Sequence, residues 1–223
     1  MNKHIQQTVP IWHFDHFSQF GNIQHYVSGR EGGVSNNTFE SLNLSYSVSD
    51  QPANVDENRQ RLARALEITP AQFLLPKQTH SDHIQVIRKP DDKKLDLSNT
   101  DGLITNVPGI AVSVLTADCV PLLFYDRVRN VIGAVHSGWR GTVKGIAQNM
   151  IQTFKTEFNS RPSDILVGIG PSIGPDTYEV GREVIDSVKA TFKDESYLIL
   201  REEKRGKAYL NLWKANRILL EHM

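Results

Sequence analysis

The sequence predicts a mixed α/β protein, and three observations carry that expectation. Apolar runs of strand length recur at residues 83–87, 110–126 and 164–170. After Gly141 the apolar residues Val143, Ile146, Met150, Ile151, Phe154 and Phe158 return at spacings of three and four, the signature of an amphipathic helix. No run approaches the roughly 18 apolar residues of a membrane span. Strands and helices both alternate and cluster, so pattern alone goes no further than mixed α/β.

Taken in order, residues 11–28 predict a strand pair around Gly21-Asn22. Arg30-Glu31-Gly32-Gly33-Val34-Ser35 is a tight turn whose glycines imply positive φ or the close approach of another group. Residues 41–45 predict a short strand with Asn43 between two leucines. Asp50-Gln51-Pro52 opens a scaffold helix with Val55, Leu62 and Leu66 on one face, ending before Pro70. Lys77 to Ser81 leads into an alternating strand at 83–87, and Lys89 to Thr100 is charged and irregular. Order resumes at Asp101 and continues into two apolar runs that read as buried strands, with Cys119 between them. The helix after Gly141 is followed by a buried strand at 164–170. A second amphipathic helix then runs through Val184, Ile185, Val188 and Phe192. A closing hairpin around Arg205-Gly206 and a last helix from Leu212 to His222 complete the chain.

Composition narrows the function classes. With 223 residues and 39% hydrophobic content the chain can bury one sizeable core. No Ser/Gly-rich or Pro-rich linker divides it, so residues 1–223 are expected to form one domain. Basic and acidic residues number 25 each, which favours neither nucleic acid nor an anionic membrane as partner. The start lacks the continuous apolar stretch of a signal peptide, and a single cysteine cannot form an intramolecular disulfide. A reducing cytoplasm is the expected location.

The chemistry-bearing residues gather around the only cysteine. A lone cysteine in an apolar stretch is most often a small hydrophobe. Cys119, however, sits between Asp118 and Pro121 at a break between strands, where a buried Asp118 would need a partner. His80 and His136 each end an apolar segment beside small polar residues. Together the three offer two readings. One is a metal site with two imidazoles and one thiolate, leaving a fourth position open as in catalytic zinc. The other is a metal-free cysteine–histidine dyad. Their separations of 39 and 17 residues match no short metal motif, so only the fold can unite them. Gly138-Trp139-Arg140-Gly141 joins a strand end to a helix expected from Thr142. Free amides there, with the Arg140 guanidinium, suit an anion. Arg30 is a second candidate anion contact, and Trp139, Phe39 and Tyr178 are candidate stacking faces. Asp118 or Asp101 could move protons.

A series of motifs in order resembles a known family. They are Arg30-Glu31-Gly32-Gly33-Val34-Ser35, Ser41-Leu42-Asn43-Leu44, Glu57-Asn58-Arg59, Gln78-Thr79-His80 and Thr116-Ala117-Asp118-Cys119-Val120-Pro121. Three more follow: Ala134 to Gly141, Gly168 to Gly174, and Tyr178-Glu179-Val180-Gly181. Together they resemble the laccase-domain family, also called the YfiH or FAMIN-like family. The resemblance implies a four-layer α/β/β/α sandwich and a zinc or copper site held by His80, Cys119 and His136. It implies purine nucleoside phosphorylase activity on adenosine, inosine and methylthioadenosine, with phosphate as co-substrate and adenosine deamination as a further activity. Beside the trio, Asp118 is expected to be catalytic as a proton shuttle, and Arg30, Asn43 and Arg140 are expected to bind substrate. Two other functions go with the family: peptidoglycan-precursor editing, and, through a likeness to hydrolases of the cytotoxic-necrotising-factor type, cysteine hydrolysis.

The chain departs from the family where Glu31 stands in place of the usual histidine, and it lacks a Cys-Thr and Phe-Ser-Tyr-Arg-Arg-Asp segment that many members carry after the last helix. Older annotation of the family as multicopper polyphenol oxidases fits poorly. The six histidines outside the trio (His4, His13, His16, His25, His83 and His222) are scattered in sequence and contain no His-x-His pair.

Overall fold

Val9–His13 (β2) is the strand on which the first of two units, residues 1–73, is built. In this computed structural model, which describes residues 1–6, 8–203 and 206–223, β2 lies between Asn2–Gln6 (β1) and Val27–Ser28 (β3), antiparallel to both. The expected pairing over residues 11–28 exists, with Ile11 opposite Ser28. Its connection differs from a tight turn at Gly21-Asn22. Burial of Phe14 and Phe17 winds the chain into a one-turn helix, Asp15–Ser18 (α1), directly after β2.

The pairing of β1 with β2 also gathers imidazoles that are scattered in the sequence. The His13 ring lies 5.3 Å from that of His4 and 5.2 Å from that of His25. His25 Nε2 accepts the Phe14 N–H at 2.8 Å.

The glycine-rich turn is explained by close approach of the chain to itself. A Cβ on Gly33 would fall 2.0 Å from the Ser41 carbonyl oxygen. Pro52–Ala65 (α2) begins with proline at its first turn, as expected, and buries Val55, Leu62 and Ala65. It is more than scaffold by packing. Asn58, fully buried, accepts the Val34 N–H and donates to Ser35 Oγ and to the carbonyls of Ser41 and Asn43. Residues 41–45 form no strand, because Asn43 closes its own turn by accepting the Ser45 N–H at 3.0 Å.

The second unit, residues 74–223, is organised by a mixed sheet. Its strands are Ile84–Ile87 (β5), Gly102–Thr105 (β6), Val120–Asp126 (β8), Val131–Ser137 (β9) and Ile165–Ile169 (β10). Their order is β10-β8-β9-β6-β5, antiparallel throughout except between β5 and β6. Successive side chains on a strand face opposite ways, so on β6 Ile104 enters one apolar cluster and Leu103 another. The larger cluster lies under the helices. Ile146–Phe158 (α4) contributes Ile146, Met150 and Phe154. Arg182–Phe192 (α5) adds Ile185 and Val188, and Leu212–Glu221 (α6) adds Leu212, Ala215 and Leu219. Fully burying each of these side chains larger than alanine contributes about 1.5–3 kcal/mol. The smaller cluster sits beneath a two-stranded sheet of Phe73–Leu74 (β4) and Ala111–Val112 (β7).

The apolar run from Ile110 therefore yields only two strand residues before Cys119. The hairpin expected near the end of the chain is present as Leu200–Glu202 (β12) against Ala208–Leu210 (β13), with Glu179–Val180 (β11) beside β13. Its predicted tip residue, Arg205, lies outside the described residues. Among the described residues no helix is long and apolar enough to cross a membrane. The mixed α/β class read from the sequence stands.

Candidate metal centre

Strand pairing explains how three distant residues meet. Gly102 at the start of β6 pairs with Val135 near the end of β9, and in parallel with Ile84 at the start of β5. Val120 at the start of β8 pairs with Ser137. The starts of β5, β6 and β8 and the end of β9 thus share one edge of the sheet. His80, Asp101, Cys119 and His136 lie at or just beyond those strand ends.

The ligand atoms of His80, Cys119 and His136 all lie within 4.8 Å of one another. Cys119 Sγ is 3.8 Å from His80 Nε2, and the two imidazole rings are 4.9 Å apart. Zinc bonds of about 2.3 Å to sulfur and 2.0 Å to nitrogen, set tetrahedrally, separate such donors by roughly 3.5 Å. A small contraction brings this trio onto an ion, and its mix of one sulfur and two nitrogens suits zinc or copper. The residues present fit the metal that the sequence resemblance implies.

Asp101 organises both histidines. Its buried carboxylate accepts the amides of Thr79 (3.0 Å), His80 (3.1 Å) and Ser81 (2.7 Å), the Ser81 hydroxyl (2.7 Å) and His136 Nδ1 (2.8 Å). Three successive amides can point at one carboxylate because His80 has φ of +61°, making a small anion nest. Burial alone would raise the Asp101 pKa. The hydrogen bonds from His136, from the Ser81 hydroxyl and from the Thr79 and Ser81 amides outweigh it and hold the carboxyl far below its usual range. Because Nδ1 of His136 is engaged by Asp101, Nε2 is the nitrogen left for the centre.

His136 feels opposing influences. Burial would lower its pKa, but the bonds to Asp101 and Cys119 and their negative charges raise it to about 9. His80 moves the other way, lowered by burial and by the neighbouring His136, with Asp101 opposing.

Two further contacts set the cysteine. Gln78 donates to the Leu115 carbonyl and accepts its N–H, both at 2.8 Å, tying the segment before Cys119 to the His80 loop. Gly138, just beyond β9, lies against the trio. A Cβ there would fall 2.7 Å from Cys119 Sγ and 2.9 Å from His80 Cδ2.

Around this centre some expectations need correction. Asp118 is exposed rather than buried, since it occupies a bend ahead of β8 in solvent; its backbone carbonyl accepts the Ile173 N–H. The helix expected from Thr142 starts earlier, as the single turn Trp139–Val143 (α3), and breaks at Gly145, whose φ is +80°. The Thr142 amide is not free for an anion, because it donates to the Gly138 carbonyl at 2.8 Å. Arg140 is exposed, stacks 4.2 Å over the Trp139 ring and pairs with Glu183 at 3.3 Å, so that face of Trp139 is already covered.

Tyr178 is half-buried. Its pKa is raised by burial and then by the charges of Cys119 and Asp118, with Arg140 opposing, which sets it in the same electrostatic neighbourhood. Arg30 and Asn43 belong to the first unit. There Arg30 donates to the Glu40 carbonyl, and Asn43 donates to Asp50 and to the Ser45 carbonyl.

The anchoring role of Asp101 and the close approach of Gly138 were the parts that sequence reasoning missed. The signal available was an aspartate placed directly before a strand, and a glycine placed directly after one.

The family profile described as multi-copper polyphenol oxidoreductase laccase matches residues 24–223. A purine nucleoside phosphorylase of Bacteroides thetaiotaomicron is 33% identical over 211 residues, spanning 92% of this chain and 78% of that protein. The adenosine deaminase RL5 of an unknown prokaryotic organism is 32% identical over 207 residues, spanning 90% and 76%. Among solved structures, YlmD from Geobacillus stearothermophilus superposes with a TM-score of 0.84 at 36% identity, covering 88% of this chain and 75% of that one.

Proposed function

The chain belongs to the multi-copper polyphenol oxidoreductase laccase family, and from that premise we propose that it is a metal-dependent purine nucleoside phosphorylase. In this reading it acts in the cytoplasm on adenosine, inosine and methylthioadenosine with phosphate, and deaminates adenosine as a side activity. Residues 1–223 serve as one catalytic domain. The relatives named as purine nucleoside phosphorylase and adenosine deaminase support the substrate class.

The single observation that carries the reading is the gathering of two imidazoles and a thiol around one point, with Asp101 behind His136. His80, Cys119 and His136 would hold zinc or copper, and a bound ion acts as a Lewis acid that also lowers the pKa of its water towards about 7. Asp101 keeps His136 in the tautomer whose Nε2 faces the centre. The Arg140 guanidinium, exposed beside the site, supplies positive charge for phosphate and for the charge that develops in the transition state. Asp118, exposed next to Cys119, is the carboxylate to accept or return a proton. Arg30 and Asn43 remain substrate-binding residues in this reading.

Copper polyphenol oxidation fits less well. Among the described residues the trio is the one group of three or more His, Cys, Asp or Glu with ligand atoms close enough for an ion, while a multicopper enzyme needs several such groups.

The test is to incubate zinc-loaded protein with inosine and phosphate and follow hypoxanthine by chromatography, with adenosine in a parallel arm. Hypoxanthine from wild type and none from His80→Ala or Cys119→Ala is the expected result. Neither hypoxanthine nor deaminated product from loaded wild type would sink the proposal.

One observation favours a second reading. Cys119 Sγ lies 3.8 Å from His80 Nε2, and its charge helps raise the His136 pKa, as in a metal-free cysteine–histidine hydrolase acting on peptidoglycan precursors or similar substrates. Hydrolysis by chelator-treated protein, abolished by alkylation of Cys119, would favour it.

A further inference from the structure

We propose that Asn216, on the last helix, is a positioning residue for the metal centre. It holds the turn after His136 so that the Gly138 backbone can lie against Cys119 and His80. The inference rests on the reading that the trio binds a metal ion.

Asn216 is fully buried on a face of α6 whose neighbours Ala215, Ile218 and Leu219 are apolar. A buried amide in such a place is costly unless its hydrogen bonds are made. Here they are made to the turn itself. Ser137, the residue directly after His136, donates its hydroxyl to Asn216 Oδ1 at 2.7 Å. Asn216 Nδ2 donates to Thr142 Oγ1 at 3.3 Å and to the Leu212 carbonyl at 2.9 Å. Thr142 closes the loop, since its amide and its hydroxyl donate to the Gly138 carbonyl at 2.8 and 3.0 Å. The buried network thus grips the chain at residues 137, 138 and 142, on both sides of the glycine that abuts the sulfur. Only a side chain that accepts and donates at once can do this. Leucine would fill similar space with neither function, and aspartate would lack the donor.

Wild type, N216L, S137A and L219A are loaded with cobalt(II). Affinity is then read by chelator competition, the cobalt–thiolate band by absorption, and Tm by thermal unfolding. Removing groups that orient metal ligands weakens binding by about 10- to 100-fold. N216L and S137A are expected to fall in that range and to shift the thiolate band. The double variant should be weaker by less than the product of the two effects, because both act through one network. L219A removes packing from the same helix without touching the network. It should lower Tm while leaving cobalt affinity and spectrum at wild-type values.

If N216L does not fold, S137A alone carries the comparison. Wild-type affinity and spectrum in S137A and in any folded N216L overturn the inference, as does equal weakening in L219A. A wild type that shows no cobalt–thiolate band overturns the metal reading itself, and this inference with it.

Discussion

The Asp101 carboxylate accepts a hydrogen bond from the His136 ring, Oδ1 to Nδ1 at 2.8 Å, while gathering the amides of the loop that carries His80. Asp101→Asn keeps the size of this group but removes its charge, and it sets an amide where His136 expects an acceptor. Zinc affinity is expected to fall by about 10- to 100-fold. Chelator competition on the purified variant measures this, and unchanged affinity would show that the carboxylate only braces the loop.

Gly138 tolerates no side chain. In Gly138→Ala the added methyl would fall 2.7 Å from Cys119 Sγ, inside contact distance, so either the sulfur or the turn must move. The variant should keep its circular dichroism and lose metal. Full zinc occupancy by elemental analysis would contradict this.

Metal uptake should depend on pH with a definite sign. In the metal-free protein His136 has a pKa of about 9, despite burial, because of its bonds to Asp101 and Cys119; near neutrality it therefore carries a proton that a metal must displace. Apparent affinity should rise by about tenfold per pH unit for each proton released, and this contribution should level off above about pH 9. Calorimetry in buffers of different ionisation enthalpy counts the protons. Affinity that is flat between pH 7 and 8.5 would contradict the assignment.

The first unit should weaken in mild acid. Burial, and then the neighbouring His13, push the His25 pKa down from 6.5 to about 4. The folded form thus binds its proton later than the unfolded chain as pH falls. The stability tied to the neutral ring is complete above about 6.5 and is lost progressively towards 4. Relative to its intrinsic rate, exchange of the Phe14 amide, which donates to His25 Nε2, should accelerate as pH falls through that window in wild type and lose that dependence in His25→Gln. A wild-type exchange profile following only the intrinsic base-catalysed slope would refute this.

Much of the architecture is legible from local pattern. The spacing of Ile146, Met150 and Phe154 marks α4 through its one buried face, and the unbroken apolar run around Leu122 to Tyr125 marks β8, which is buried on both faces. The trio was legible as three chemically apt residues at segment ends, and the resemblance singled out the same three. Their meeting was not readable from spacing, because it depends on β5 and β6 running parallel and on β9 folding back between β6 and β8. The short failures have local causes. Asn43 spends its side chain on its own turn and ends the expected strand, and Gly145 divides one predicted helix into two. The gathering of His4, His13 and His25 was hidden for the same reason as the trio, since strand pairing rather than sequence distance made them neighbours.

One acidic group thus braces the ring of His136 and, through its backbone amide, the loop that carries His80. Ordering a free side chain costs about 0.5–1.5 kcal/mol at the moment of association. For the His136 ring that cost is met when the chain folds, before any ion arrives. Refilling an emptied centre therefore starts from one nitrogen ligand already aimed, which favours rapid capture from dilute solution.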